Sequence, residues 1–290
     1  MKTLTRVAEM QVAAAGARGL GRRIGLVPTM GALHEGHLSL VRAARERSDF
    51  TVVSLFVNPA QFGPGEDYRR YPRDLEADGR RLAEAGVAVL FAPTVEEIYP
   101  VGSQTSVLVE RASEPLCGRF RPGHFRGVAT VVLKLLNIVQ PHVAFFGRKD
   151  AQQCVVIQQL VRDLNLPVEI VVCPIVREPD GLALSSRNAY LNPREREAAR
   201  ALFRSLVRAR EMIEAGERSA QAIERGIRAL LGAKPKARID YVELVDAQTL
   251  QPTDRVTGRI LIALAVWIGS ARLIDNLVVE EKQGRFYFDL

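Results

Sequence analysis

Short apolar runs alternate with helix-patterned segments along the first part of the chain, and this alternation restricts the possible folds more than any other feature. Continuous β-branched and apolar runs are typical of parallel strands that are buried on both faces. We predict such strands at Ile24–Val27, Thr51–Val57, Val87–Phe91, Val143–Phe146 and Val168–Val172, with a further strand at Thr105–Val109. The helices are predicted at Leu4–Ala15, Leu38–Arg47, Asp74–Ala85, Gly127–Val139 and Asp150–Arg162. This order predicts an α/β fold, a Rossmann-like, doubly wound parallel sheet.

The pattern changes near Pro174. Pro179-Asp180-Gly181 is a turn sequence between two short extended runs and predicts a hairpin. Two helices are expected next, and then three strands without intervening helices, which favours an antiparallel sheet. These elements are predicted at Arg194–Glu214, Ala220–Leu231, Ile239–Val245, Arg259–Val266 and Arg272–Val279. We therefore expect a Rossmann-like domain over residues 1–176 and a smaller C-terminal α+β domain over residues 177–290.

Composition excludes several classes of protein. The longest apolar run, Ile260–Ile268, has about half the length needed to cross a bilayer, and the N-terminus lacks a secretory signal, so we expect a cytoplasmic protein with no membrane partner. Three widely separated cysteines form neither a disulfide framework nor a metal site. The net charge is +7, but only six of the 40 basic residues are lysine. Such a bias towards arginine is more typical of genome-wide composition than of a selected basic patch. We therefore expect no nucleic-acid partner.

The stretch Pro28–His37 follows the first predicted strand of the sheet and precedes a helix. A glycine turn of this kind brings backbone N–H groups and a helix N-terminus together, which favours an anionic group such as phosphate. His34 and His37 add side-chain donors, although either histidine alone is as often structural as a ligand. Gly31 and Gly36 permit close backbone approach. The stretch therefore predicts a nucleotide phosphate site.

Three other polar segments follow predicted strands or the domain change. Lys149 begins a helix, where it is either a surface charge or a charge that neutralises triphosphate. Asp150 is equally well explained as a helix cap. Gln61 and Gln153 carry amides suited to a small molecule with hydroxyl and carboxylate groups. The Ser185–Asn188 stretch either ends the hairpin and caps the next element or forms a mobile basic loop over polyphosphate.

Five segments, in order, resemble the pantothenate synthetase (pantoate–β-alanine ligase) family over nearly the whole chain. They are Pro28–His37, Asn58–Phe62, Arg121–Val128, Phe146–Asp150 and Leu184–Asn188. The resemblance implies a cytoplasmic, homodimeric nucleotidyltransferase-fold enzyme whose C-terminal domain is a lid. It also implies that pantoate attacks Mg²⁺-ATP to give pantoyl adenylate and pyrophosphate, after which β-alanine displaces AMP.

The resemblance also implies roles for individual residues. His37 corresponds to the proton donor, Gln61 to the contact with pantoate and β-alanine, and Gln153 to a second pantoate contact; His34, His37, Lys149 and Arg187 are expected to stabilise the leaving pyrophosphate. The implied ATP contacts are Met30, Gly31, Ala32, Leu33, His34, Glu35, Gly36, His37, Gly147, Arg148, Lys149, Asp150, Val176, Leu184, Ser185, Ser186 and Arg187.

The chain departs from the family pattern at two positions. Arg148 stands where an acidic or amide residue is usual, and Ala151 where an aromatic residue is common. Mg²⁺ is expected to be held mostly by phosphates and water, so metal ligands stay unknown; Asp78 is considered as an additional contact but is not assigned.

Two alternatives remain open. A cytidylyl- or adenylyltransferase would keep the nucleotide domain and release a nucleotide-linked product. Gln61 and Gln153, in place of a second basic cluster, argue against the phosphorylated co-substrate of such an enzyme. An RNA-binding relative of tRNA synthetases would account for the basic charge, but the C-terminal region has no basic platform rich in aromatic residues.

Overall fold

The computed structural model describes residues 1–234 and 237–290. The chain divides into two compact units, each with its own sheet. The N-terminal unit comprises Met1–Ser113, Arg121–Arg148 and Val156–Cys173, and the C-terminal unit comprises Glu114–Phe120, Lys149–Val155 and Pro174–Leu290. The units are thus interleaved in sequence, and the domain boundary after residue 176 stays a prediction.

The N-terminal unit contains the predicted parallel sheet, which has six strands that all pair in parallel. Its strands are β1 (Lys2–Leu4), β2 (Ile24–Thr29), β3 (Phe50–Leu55), β4 (Val89–Phe91), β5 (Val143–Gly147) and β6 (Glu169–Cys173), in the order β1-β4-β3-β2-β5-β6. The chain proceeds from β2 outwards through β3 to β4, and then returns to the other side of β2 with β5. The carboxyl ends of β2 and β5 therefore lie at a topological switch point, where ligands of such sheets collect.

Helices join these strands. They are α1 (Val7–Gly19), α2 (Glu35–Arg47), α3 (Leu75–Glu84), α4 (Val95–Ile98), α5 (Glu110–Ser113), α6 (Cys117–Phe120), α7 (His124–Val139) and α8 (Ala151–Asp163), with short 3-10 turns at Pro59–Gln61, Asp67–Arg69 and Arg148–Asp150. Gly86 ends α3 with a φ of 73°, in the left-handed region that glycine adopts without strain. β2, β4 and β5 are almost completely buried, which explains their unbroken apolar sequences.

Two predictions for the N-terminal unit are wrong. Thr105–Val109 forms no strand; the Val107 N–H donates instead to the Thr130 hydroxyl of α7 at 2.9 Å, so a side chain replaces the strand ladder there. The leading helix begins at Val7 rather than Leu4, because Lys2–Leu4 pairs with β4 as strand β1. Both errors depend on partners that are distant in sequence.

The C-terminal unit contains the predicted antiparallel sheet. Its strands are β7 (Ala237–Asp246), β8 (Arg259–Ile268), β9 (Ala271–Lys282) and β10 (Arg285–Asp289), in the order β10-β9-β8-β7. Helices α9 (Pro193–Ala199), α10 (Ala201–Glu214) and α11 (Ala220–Gly232) contribute with one sheet face to a single apolar core. The predicted helix Arg194–Glu214 is thus divided at Arg200. None of the helices in the described ranges is both long and apolar enough to cross a membrane.

Candidate active site

The turn after β2 is held by a buried carboxylate from α3. Gly31 and Ala32 have φ values of 85° and 51°, and the left-handed region is costly for alanine. Asp78, which is 2% exposed, compensates for this cost by accepting the N–H groups of Ala32 and Leu33, both at 2.8 Å. Arg81, one turn further along α3, donates to the Leu33 carbonyl. Both oxygens of Asp78, the residue considered for magnesium, therefore serve to shape the predicted phosphate turn.

The two histidines of this turn lie together at the start of α2. His34 is the residue preceding the helix, and its N–H donates to His37 Nδ1 at 3.3 Å. The two ring centroids are 4.0 Å apart. Because Nδ1 of His37 accepts this hydrogen bond, the proton of the neutral ring resides on Nε2. His37 thus has a defined tautomer in which Nε2 carries the N–H donor.

Gln61 lies at the end of the 3-10 turn Pro59–Gln61, beside the phosphate turn. Its Nε2 is 2.9 Å from Met30 Sδ, and its Oε1 accepts from Asn58 Nδ2 at 3.1 Å. The structure therefore brings together two of the predicted site segments, Met30–His37 and Gln61, within the N-terminal unit.

Asn58 was not assigned a role from the sequence, although it belongs to a recognised segment. It is 1% exposed, and its Oδ1 accepts from the Ala60 N–H at 3.2 Å and the Tyr99 hydroxyl at 2.9 Å. Its Nδ2 donates to the Gly127 carbonyl at 3.1 Å as well as to Gln61. Burial raises the pKa of Tyr99 to about 12, so the phenol keeps its proton at neutral pH. Asn58 therefore fixes the amide orientation of Gln61.

The backbone of Gln61 is held from a second direction. Its carbonyl accepts from Arg121 Nη2 at 3.3 Å and from His124 Nδ1 at 2.8 Å. Arg121 also forms a two-pronged ion pair with Glu66, at 2.7 and 2.6 Å. Burial alone would raise the pKa of Glu66, but the hydrogen bonds and charge of Arg121 outweigh this effect and lower it. Arg121 and His124 belong to one of the five family segments, but the sequence gives no indication of these contacts.

Gly127 permits the close approach between α7 and the 3-10 turn. A Cβ atom on Gly127 would lie 2.2 Å from the Ala60 carbonyl oxygen and 2.7 Å from the Gln61 nitrogen. We expect Gly127→Ala to displace Gln61 and to lower the free energy of unfolding by about 1–3 kcal/mol. It should also weaken binding of the small hydroxyl- and carboxylate-bearing molecule predicted to contact Gln61. Urea unfolding and steady-state kinetics measure these two effects.

Gly16→Ala is the matched control for this substitution. Gly16 lies inside α1 in the same unit, and nothing is within 4 Å of its added Cβ. Alanine there should leave kinetics unchanged and raise stability slightly, because it favours the helix. Unchanged kinetics in Gly127→Ala would show that the close packing does not position Gln61.

Gly147 ends β5, and Arg148, which is only 9% exposed, begins the following 3-10 turn. These two predicted ATP contacts belong to the N-terminal unit, whereas Lys149 and Asp150 belong to the C-terminal unit. Lys149 Nζ is 3.4 Å from Asp150 Oδ2, and the Lys149 side chain is 23% exposed. A half-buried lysine side chain next to a carboxylate is consistent with an anion-binding lysine.

The first two glutamines of helix α8, Gln152 and Gln153, differ in burial. Gln152 is buried and structural: its Oε1 accepts from the Cys117 N–H at 3.0 Å and its Nε2 donates to the Pro115 carbonyl at 2.7 Å. Gln153, the predicted pantoate contact, is only half-buried. The pantoate contact of Gln153 stays a prediction.

The predicted hairpin is present, and it joins several predicted ATP contacts. The Leu184 N–H donates to the Val176 carbonyl at 3.0 Å, and Arg177 pairs with Ala183. Ser185 Oγ then accepts the Arg187 N–H at 3.3 Å and caps the 3-10 turn Ser186–Tyr190. This is the capping role considered for the segment, while its role as a mobile loop stays a prediction.

Comparisons with known proteins show the family of this chain. Residues 2–278 match the family described as Pantoate-beta-alanine ligase. A pantothenate synthetase from Moorella thermoacetica is 57% identical over 280 residues, which cover 97% of this chain and 99% of that protein.

Solved structures give the same result. The crystal structure of pantothenate synthetase from Thermus thermophilus matches with a TM-score of 0.91 and 50% identity, covering 96% of this chain and 99% of that one. Pantoate-beta-alanine ligase from Francisella tularensis, complexed with beta-gamma ATP and beta-alanine, matches with a TM-score of 0.79 and 36% identity, covering 95% and 97%. The chain belongs to the pantoate–β-alanine ligase family.

Proposed function

We propose that this chain condenses pantoate with β-alanine, at the cost of ATP, through a pantoyl adenylate. The observation that carries the proposal is the contact of the Gln61 amide with Met30 of the phosphate turn, at 2.9 Å. Adenylation requires a carboxylate next to the α-phosphate of ATP. An amide that binds pantoate must therefore lie beside the residues that bind the nucleotide.

In the first step, a pantoate carboxylate oxygen attacks the α-phosphorus of ATP. A C–O–P bond forms, the bond from the α-phosphorus to the bridging oxygen breaks, and pyrophosphate leaves with the electron pair. In the second step, the amine of β-alanine attacks the acyl carbon of pantoyl adenylate. The amide bond forms, AMP leaves, and the nitrogen releases a proton. Neither step needs a covalent bond to the protein, so positioning and charge stabilisation are the main tasks of its residues.

We assign the proton-donor role in the first step to His37. Its Nδ1 accepts the His34 N–H, which leaves Nε2–H as the donor for a phosphate oxygen that gains charge as pyrophosphate leaves. The His34 ring contacts the His37 ring at a tilt of 31°. Asp78 holds the backbone of two further ATP contacts of this turn, Ala32 and Leu33.

We assign charge neutralisation of the polyphosphate to Lys149 and Arg187. Both belong to the C-terminal unit, together with the predicted contacts Asp150, Val176 and Leu184–Ser186. The Ser185 and Ser186 hydroxyls and the Arg187 guanidinium are donors suited to phosphate oxygens. Gln61 contacts pantoate and β-alanine in this proposal, and Gln153 contacts pantoate.

We further propose that Mg²⁺ enters on the phosphates of ATP. Within residues 1–234 and 237–290, no group of three or more His, Cys, Asp or Glu side chains is arranged to hold a metal ion. Mg²⁺ commonly keeps several waters and binds through substrate phosphates. The cytoplasm, where ATP is available, is the proposed location. A homodimer is proposed from the family resemblance and would have twice the mass of the chain in light scattering.

Exchange of labelled pyrophosphate into ATP tests the function. The exchange should require pantoate, should not require β-alanine, and should be followed by release of free AMP when β-alanine is added. A stable nucleotide-linked product would instead favour the nucleotidyltransferase alternative. Exchange that is independent of pantoate would refute the ligase. Tight, salt-sensitive binding of tRNA would support the RNA-binding alternative.

A further inference from the structure

Strand β9 carries an acid inside an otherwise apolar row. Its alternate residues Ala271, Leu273, Leu277 and Val279 belong to the core that helices α9–α11 share with the sheet. Asp275 occupies the same row and is 2% exposed. A buried carboxylate is costly unless it is paired and hydrogen-bonded. Its presence in the core therefore calls for a specific partner.

That partner is Arg177 of the hairpin. Arg177 Nη1 and Nη2 donate to Asp275 Oδ2 and Oδ1 at 2.7 and 3.0 Å, and the Asn276 N–H donates to Oδ1 at 2.8 Å. Arg177 also donates to the Gly181 carbonyl at 3.2 Å and stacks on Phe203 of α10 at 4.8 Å. The hairpin that contains Val176 and Leu184 is therefore fixed to β9 by a two-pronged ion pair.

Asn276, the next residue, lies on the opposite face of the sheet from Asp275. Successive residues of a strand point to opposite faces of the sheet. Asn276 is 2% exposed, and its Nδ2 donates to the Lys149 carbonyl at 3.1 Å. β9 pairs with β8 from Ala271 to Glu280, so both side chains project from a paired part of the strand. Two consecutive residues thus hold the lysine segment and the hairpin at a fixed separation.

We propose that Asp275 and Asn276, the β9 anchor, are positioning residues for ATP that set Lys149 relative to the Leu184–Arg187 segment. The inference rests on the proposed function, since that proposal assigns both segments to ATP. The β9 anchor contacts no phosphate in this scheme. It reduces the number of conformations in which Lys149 and the hairpin are misplaced, and so lowers the ordering cost of binding.

Two variants test the β9 anchor. Asn276→Ala removes the donor to the Lys149 carbonyl, and the loss of one such hydrogen bond should raise the dissociation constant of Mg²⁺-ATP about fivefold. The double variant Arg177→Met/Asp275→Leu removes the ion pair but keeps the core filled, a replacement that proteins often tolerate. It should raise that constant at least as much. Calorimetry measures the binding, and steady-state kinetics should show a higher KM for ATP with an unchanged KM for β-alanine.

Asp240→Asn is the matched control. Asp240 lies on β7 and accepts a hydrogen bond at 2.8 Å from Nε of Arg272, which belongs to β9. The Asp240 and Arg272 side chains are only 6% and 11% exposed. The control should lower the thermal midpoint while leaving ATP binding unchanged. If the β9 anchor merely stabilises the fold, its variants will behave like this control, and that result would overturn the inference.

The failure of this inference is distinguishable from failure of the proposed function. A wild-type protein that binds Mg²⁺-ATP without pantoate-dependent exchange would refute the ligase alone, because ATP binding by the variants still tests the β9 anchor. If Asn276→Ala and the double variant are folded and bind Mg²⁺-ATP with the wild-type dissociation constant, only the proposal for the β9 anchor is overturned.

Discussion

Replacement of Lys149 by methionine is expected to lower the rate of adenylation about 10²–10³-fold, a loss typical of removing one group that stabilises transition-state charge. Pyrophosphate gains negative charge as it leaves. The Lys149 side chain is 23% exposed, and its ammonium nitrogen lies 3.4 Å from Asp150 Oδ2. Methionine keeps the apolar stem of lysine and removes the charge. Pantoate-dependent pyrophosphate exchange at saturating ATP measures the effect.

Lys282→Met separates this effect from a general loss of positive charge. Lys282 ends β9 in the same unit, its side chain is 61% exposed, and its partner is Glu280 at 3.0 Å. Exposed pairs of this kind contribute little, so this control should keep wild-type rates. A near-normal adenylation rate in Lys149→Met would remove Lys149 from catalysis.

Most of the parallel sheet is predictable from sequence because its central strands are buried on both faces. β2, β3 and β5 are mostly apolar or β-branched runs bounded by polar loops, and these runs identify them without reference to partners. β1 has no such signal: Lys2–Leu4 becomes a strand only because Val89–Phe91 lies beside it. Conversely, Thr105–Val109 has a strand-like composition but finds a threonine side chain as its partner.

The missed strand β10 did have a local signal. Gln283 and Gly284 both have positive φ values, 53° and 74°, as a tight two-residue hairpin turn requires. The alternation Arg285-Phe286-Tyr287-Phe288 follows directly and is half-buried on every second residue. Glycine next to an amide residue, followed by three consecutive aromatic residues, is a local signal for this hairpin.

The candidate site residues are predicted from their unusual chemistry, whereas the contacts of the residues that support them are not predictable from the sequence. His34 and His37 attract notice because they flank Gly36 after the glycine turn, where a helix is predicted to follow. Asp78 and Asn58, in contrast, become significant only through the backbone groups that they hold, and a sequence does not show those contacts. Asp275 interrupts an apolar row, but the sequence gives no indication that Arg177 compensates for it.

The second large effect is expected at His37, whose two ring nitrogens have separate tasks. Nδ1 accepts the His34 N–H and so supports the start of α2, while Nε2–H is the proposed donor to phosphate. Asparagine places an acceptor near the position of Nδ1 and lacks the outer donor. His37→Asn is therefore expected to keep the fold and to lower the adenylation rate about 10²–10⁴-fold, the usual contribution of a positioned proton donor. His37→Gln, whose amide nitrogen approximates Nε2, should retain more activity.

His142→Asn is the control for the acceptor task alone. His142 Nδ1 accepts the Ile24 N–H at 2.8 Å, at the end of β2 opposite to the phosphate turn. The same substitution there should leave pyrophosphate exchange at the wild-type rate. Thermal unfolding verifies that both asparagine variants are folded under the assay conditions. If His37→Asn exchanges pyrophosphate as fast as His142→Asn does, the Nε2–H group is not the proton donor, and stabilisation of the leaving pyrophosphate must come from other groups such as Lys149.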